Sequence, residues 1–338
     1  MKFLKLLTVG VFSLLLTITS AFADKLQVGF IYVGPVSDHG WTYMHDQGRQ
    51  LIESELGDQV ETVYVESVKY GPDAERVIRD MAMSGVDIIF ATSFGYMESM
   101  LKVASEFPDV KFEHATGYKT APNMSVYSSK FYEGRYIQGV IAGMMSKKGK
   151  AGYIASFPIP EVIRGINSFW LGATSVNPDF DVDVVWVNTW YDPGKEGDAA
   201  RVLINQGADI ITQHTDSPAA LQVAEEFGIK AFGQASDMLM FAPTTQLTAI
   251  IDDWGPYYVK RVKAVLDGTW ESSDTWGGMD TGMVAMAKFT NMPFNVQLAA
   301  ESITEKILTG KFKPFGDTSI GELLTMTEYL DGIDAAKP

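Results

Sequence analysis

The chain has 338 residues, no cysteine, and 42 acidic against 27 basic side chains, for a net charge of −15. Zero cysteines exclude disulfides, thiolate metal sites and a lipid-bearing cysteine at an export cleavage point, and the excess of carboxylates argues against nucleic acid or anionic lipid as partners. A chain of this length can bury a core large enough to need no covalent staples.

Met1 to Ala23 carries Lys2 and Lys5, then the apolar run LLTVGVFSLLLTI, then AFA before Asp24. That is the charged, apolar and small-residue order of a secretory signal peptide, cut after Ala23. The apolar run falls short of the roughly 20 residues that a membrane span needs. The mature chain of 315 residues is therefore expected to be exported to a bacterial periplasm, soluble, not lipidated, and not membrane-inserted once the signal is removed. Without Lys2 and Lys5 it has 25 basic and 42 acidic side chains, net −17.

Strand-like apolar runs then alternate with helical patterns: LQVGFIYVG, ETVYVES, VDIIFATS and KFEHATG in the first part, AGYIASF, DVDVVWVNTW, ADIITQH and IKAFGQA in the second. Continuous apolar strands separated by helices are those of a parallel sheet covered on both faces, which predicts an α/β protein of the doubly wound type. RDMAMSGVDIIFATS from Arg79 and RVLINQGADIITQHT from Arg201 align without a gap and share Arg, Gly, Asp, Ile and Ile. Each reads as a helix end, a glycine stop at Gly85 or Gly207, and a buried strand. Two similar lobes follow, with a cleft between them.

In α/β lobes small ligands bind beyond the carboxyl ends of the parallel strands. The loops there read GPVSDHGW, ATSFGYM, ASFPIPEVIRGINSFW, NTWYDPGK, QHTDSPA and GQASDM. They bring Trp41, Phe94, Phe157, Phe169, Trp170 and Trp190 near Asp38, Asp216 and Asp237, with Ser93, His39 and His214 as further polar groups. Aromatic faces suit a planar ligand, and ionised aspartates, being acceptor-only, select one rich in N–H or O–H donors. The cleft is predicted to take a flat, uncharged or cationic solute such as a purine. No G-x-x-x-x-G-K-[ST], H-E-x-x-H or G-x-S-x-G occurs, and the four histidines have no metal-ligand spacing along a helix, so no enzyme, metal or cofactor is predicted.

With GPVSDHGWTYMHDQGRQ at the end of the first strand, and with ATSFGYMESMLKVASEFPDVKF, FYEGRYIQGVIAG, FWLGATSVNPDF, WYDPGKEGDAARVLINQGADII and FGQASDM in that order, the mature chain resembles the basic membrane protein family of ABC-transporter substrate-binding proteins. Its best understood members are of the purine nucleoside receptor type. The resemblance implies a two-lobed type I periplasmic binding fold. Residues 24–127 plus about 251–285 would form lobe one, 128–250 plus about 286–330 lobe two, with permease subunits of an ABC transporter as partners. It also implies that Asp38 accepts hydrogen bonds from the ligand base, that Trp41 and Phe169 stack on it from opposite sides with Trp170 adjacent, and that Asp237 turns toward ribose. His39, Thr42 and Ala235 replace the family's Lys, Asn and Asp. Two lost polar partners favour a free purine base over its nucleoside. A riboflavin or other flat-heterocycle receptor and a nucleoside-cleaving hydrolase are the alternatives.

Overall fold

In the computed structural model, residues 25–330 and 333–335 are described; the expected signal peptide lies outside them. The apolar runs form two sheets. Numbering strands in chain order, the first holds β1 (Leu26–Ile31), β2 (Val60–Val65), β3 (Ile88–Ala91), β4 (Lys111–Ala115), β5 (Met124–Ser129) and β11 (Asp274–Gly277). The second holds β6 (Lys150–Ala155), β7 (Asp181–Trp186), β8 (Ile210–His214), β9 (Lys230–Gly233), β10 (Gln246–Asp252), β12 (Val284–Met286) and β13 (Ile333–Ala335). Their orders are β11-β5-β4-β3-β1-β2 and β12-β10-β9-β8-β6-β7-β13, parallel except where β12 runs against β10.

The helices are α1 (Trp41–Leu56), α2 (Pro72–Met83), α3 (Met97–Glu106), α4 (Phe131–Met145), α5 (Pro160–Thr174), α6 (Pro193–Asn205), α7 (Ala219–Phe227), α8 (Gly255–Leu266), α9 (Phe294–Leu308) and α10 (Ile320–Leu324). They cover both faces of both sheets, and each face has its own apolar cluster. The first cluster of lobe two includes Val296, Ala300 and Ile307 of α9. The chain passes from one sheet to the other between β5 and β6, between β10 and β11, and between β11 and β12.

The internal similarity seen in sequence has a structural counterpart. β2-β1-β3-β4-β5 and β7-β6-β8-β9-β10 are the same strand order, and the two matched stretches are the α2–β3 and α6–β8 units. Gly85 and Gly207 end their helices at φ 89° and 106°, where a side chain would strain the backbone. In this order the connections leave β1 and β3, or β6 and β8, toward opposite faces, so a crevice opens where they part.

Helix α5 follows β6 and crosses α4 at near-contact of the backbones. A Cβ on Gly139 would overlap the Phe169 carbonyl, and one on Gly172 would overlap the Tyr136 carbonyl. Gly172→Ala is therefore expected to force the helices apart and lower stability by about 1–3 kcal/mol, measured by urea denaturation.

Candidate functional site

The loops after β1, β3, β4, β6, β7, β8 and β9 converge on a narrow, nearly filled pocket between the lobes. Val33, Trp41, Ser93, Phe94 and Thr116 line it from the first lobe, and Glu161, Trp190, His214, Asp216 and Gln234 from the second. Of the six non-glycine residues with left-handed φ among the described residues, His39, Ser67, Thr116, Asn188 and Ala235 lie in strand-end loops around this cleft. Such conformations persist only where the surroundings enforce them.

Trp41 opens α1 and is held on every side. Its indole N–H donates to the Thr92 carbonyl at 2.6 Å, and its ring meets His45 and Trp254 edge-on, with centroids 4.5 and 5.3 Å away. Ser93 pairs its hydroxyl with Tyr70 at 2.6 Å, and its carbonyl meets His114 Nε2 at 2.9 Å. Across the cleft, Trp190 accepts the Asp216 N–H on its carbonyl at 2.9 Å and lies 5.4 Å from Phe157 and 6.1 Å from His214, ring to ring. Rings from both lobes thus face the same space.

The polar groups are mostly acceptors. Burial pushes the Asp216 carboxyl well above the usual range, helped by the negative field of Asp38, Glu196, Glu161 and Asp252. Among the described residues no donor reaches its carboxylate, and Oδ2 is buried without a partner. Burial also lowers the His214 pKa, keeping the ring neutral; its Nε2 lies 3.5 Å from Glu161 and its Nδ1 is buried and unpaired. Arg135, fully buried below, donates to the Gln234 Oε1, which leaves that amide's N–H₂ as a donor for the pocket. No lysine or arginine lines the pocket.

The structure gathers Trp41, Ser93, Phe94, Trp190, His214 and Asp216 at one place and puts the other four candidates elsewhere. Asp38 is buried behind the pocket, where Oδ1 accepts from Gly40 N at 2.8 Å and Tyr43 N at 2.9 Å, and Oδ2 from Thr42 N at 2.9 Å. It thereby satisfies the open N–H groups at the start of α1. Its pKa is pushed up to about 6 by burial, against the pull of those bonds. Phe169, expected to face Trp41, lies instead in the core of lobe two, edge-on to Tyr153 and Phe232 at 6.0 and 6.2 Å. Trp170 packs partly buried against the same core. Asp237 is exposed and accepts from Leu239 N and Gln246 Nε2, at 3.0 and 2.7 Å. Thr42 accepts the Gly34 N–H at 3.2 Å, a local structural bond.

Sequence reasoning passed over Val33, Thr116, Glu161 and Gln234. Glu161 carried a readable signal: a carboxylate in the first turn of a helix that opens at a strand end. Thr116 and Gln234 each directly follow such a strand.

The two lobes touch most closely beside this pocket. A Cβ on Gly40 would overlap the Asp216 carbonyl, so only glycine allows the loop after β1 to reach the loop after β8. Next to it, Ser236 donates its hydroxyl to the His39 carbonyl, and the His39 ring stands edge-on to Phe241 at 4.8 Å. Gly40→Ala is expected to hold the lobes apart, giving a larger radius of gyration in small-angle scattering than wild type while unfolding stays cooperative.

Residues 25–313 match the family described as ABC transporter substrate-binding protein PnrA-like. A purine-binding protein of Brucella abortus (strain 2308) is 65% identical over 292 residues, covering 86% of this chain and 83% of its own. A Haloferax volcanii protein, named as the glucose-binding protein of an ABC transporter, is 37% identical over 322 residues, covering 93% and 82%. Solved ABC-transporter solute-binding proteins from Conexibacter woesei and Aeropyrum pernix K1 superpose with TM-scores of 0.69 and 0.76, at 21% and 18% identity. They cover 85% of this chain in both cases, and 98% and 92% of their own, and they share its two-lobed α/β architecture. No helix among the described residues is long and apolar enough to cross a membrane. The chain belongs to the PnrA-like family of ABC-transporter substrate-binding proteins, and is a binding protein rather than an enzyme.

Proposed function

We propose that the protein captures a purine base, or its nucleoside, between the two lobes and presents it to the permease subunits of an ABC importer. The observation that carries this reading is the Asp216 carboxylate, buried without a donor in a pocket walled by Trp41, Phe94 and Trp190. A buried carboxyl with no partner, ionised and accepting or protonated and able to donate, is costly until a ligand group pairs with it. A purine supplies such groups at its edge and a flat face for the indoles, and the Gln234 amide has a ring nitrogen or exocyclic oxygen to meet. The name of the Brucella relative supports the same class.

The strand membership of the two sheets supports the lobe division expected from sequence, and membership of an ABC-importer binding-protein family supports export to the periplasm. Thr42 is engaged with Gly34, and Ala235 has no polar side chain, so neither offers a ribose hydroxyl a partner. Both favour the free base.

Two predictions follow from the pocket chemistry. Asp216 has a folded pKa raised above the 3.8 of a free aspartate, so between those values the folded state binds more protons than the unfolded one. Its contribution to stability is present below about pH 4 and is lost as pH rises. Asp216→Asn should therefore stabilise the ligand-free protein, with a gain that grows from pH 4 to pH 7 in thermal unfolding. The same variant should bind adenine and guanine at least tenfold more weakly in calorimetric titration. Wild type that binds glucose but neither base would overturn the purine reading.

The second prediction separates stacking from packing. Trp190→Ala should weaken base binding by about 1–3 kcal/mol, as for other base-stacking aromatics. Phe169→Ala should cost about 3–5 kcal/mol of stability, as for a large core residue, without a specific loss of affinity in the protein that remains folded.

A further inference from the structure

A second chamber adjoins the pocket and shares Phe94, Thr116 and Glu161 with it. It is a partly open space of about 1130 Å³ between atoms, open solvent included. Its walls are mostly apolar: Phe94 and Tyr118 come from loops of the first lobe, Ile159 and Pro160 from the entry to α5, and Leu324 from α10. The segment after α10 is tied down across α5, where Asn167 donates to the Glu328 carbonyl at 2.9 Å and accepts the Leu330 N–H at 3.1 Å. That segment forms one side of the chamber through Thr325 and Thr327.

Arg164 lines this space. It is 4% exposed, yet it forms no ion pair among the described residues. Its single hydrogen bond runs from Nη1 to the Leu323 carbonyl, at 2.6 Å. The guanidinium lies over Trp276 and Tyr132, 5.1 and 5.9 Å from the ring centres, and four of its five N–H donors have no acceptor. Its unpaired nitrogens are not among the buried atoms sealed from the surface, and Arg164 is part of the chamber wall. Glu161, the nearest acidic group on the same helix, is drawn toward His214 on the side of the first pocket.

A buried guanidinium needs acceptors, and its planar fork matches the two oxygens of a carboxylate. The apolar walls need an apolar body beside that group. We propose that this chamber is a second ligand site for a carboxylic acid with an apolar body, its carboxylate on Arg164 and its body between Phe94, Tyr118, Ile159 and Leu324. Because both lobes and the C-terminal segment contribute walls, occupancy favours the closed arrangement and strengthens capture in the first pocket. The assignment stands apart from the purine reading, since it uses a cation that the first pocket lacks and an adjoining space.

Calorimetric titration of the mature protein with benzoate and hexanoate tests it. Saturable binding is expected, with benzamide and hexanol at least tenfold weaker. Arg164→Met should lose at least tenfold in benzoate affinity. Because that substitution lies in a buried position, Leu324→Trp serves as a second variant that fills the chamber without touching the guanidinium, and it should abolish benzoate binding as well. No benzoate or hexanoate binding by wild type, benzamide binding as tight as benzoate, or benzoate affinity unchanged in either folded variant would each overturn the site. Adenine and guanine titrated into the same wild-type sample report separately: their failure with benzoate binding intact counts against the purine reading alone.

Discussion

The backbone of Gly40 lies against the carbonyl of Asp216 with no room for a side chain, and the geometry of the cleft depends on that approach. Gly40 ends the loop after β1 and Asp216 belongs to the loop after β8, so the contact joins the crevice of one sheet to the crevice of the other. Trp41 follows Gly40 directly, and Trp190 is tied to Asp216 through the backbone bond between them. Bringing the two loops together therefore brings an indole from each lobe to the same pocket. Asp38 contributes from behind: by accepting three N–H groups at the start of α1 it sets the direction in which that helix leaves the loop, and with it the position of Trp41.

Around this contact the polar groups are arranged at a cost to the ligand-free protein. Two buried carboxylates elsewhere have donors: Glu113 accepts from Arg261, Tyr257 and Trp270, and Glu196 from the N–H and hydroxyl of Ser217. At the cleft the pattern reverses. Asp216 has no donor, one oxygen of Asp252 is unpaired, and Arg164 has a single carbonyl partner. Unsatisfied buried polar atoms are rare in folded proteins, and those at this cleft are what a site completed by its ligand requires. The left-handed residues in the same loops follow the same logic, because local strain is tolerated where the loop must aim a group rather than minimise its own energy.

The carboxylates also act on one another. Asp38, Glu196, Glu161 and Asp252 all raise the Asp216 pKa, so the pocket repels anions and suits a neutral or cationic ligand. The cation missing from this pocket appears in the neighbouring chamber as Arg164. The two adjoining spaces share Glu161 on their common wall, and Arg164, three residues further along α5, lines only the second.

The α/β class, the sequence of parallel strands and the placing of functional loops at strand ends were determined by the sequence itself, because burial on both faces writes a continuous apolar run that does not depend on the partner strand. Strands β5 and β10 escaped that reading, since MSVYSS and QLTAIID place hydroxyls and amides where an apolar run would be expected, and only their neighbours' donors and acceptors make them fit a buried sheet. Trp41, Ser93, Phe94, Trp190, His214 and Asp216, which line one pocket, were legible as neighbours because each sits in a loop that follows a strand or at the strand's end, which the chain order alone locates. Phe169 and Trp170 were not, because they lie in the third turn of α5, and which face of that helix meets the sheet is settled by the close crossing with α4 at Gly139 and Gly172. Asp38 and Asp237 share their loops with true pocket residues, but local backbone N–H groups and Gln246 claim their carboxylates first. The tertiary structure alone decided which polar groups were left unpaired, because satisfaction of a buried donor or acceptor depends on distant residues arriving at hydrogen-bond distance, and no local pattern in the sequence records that.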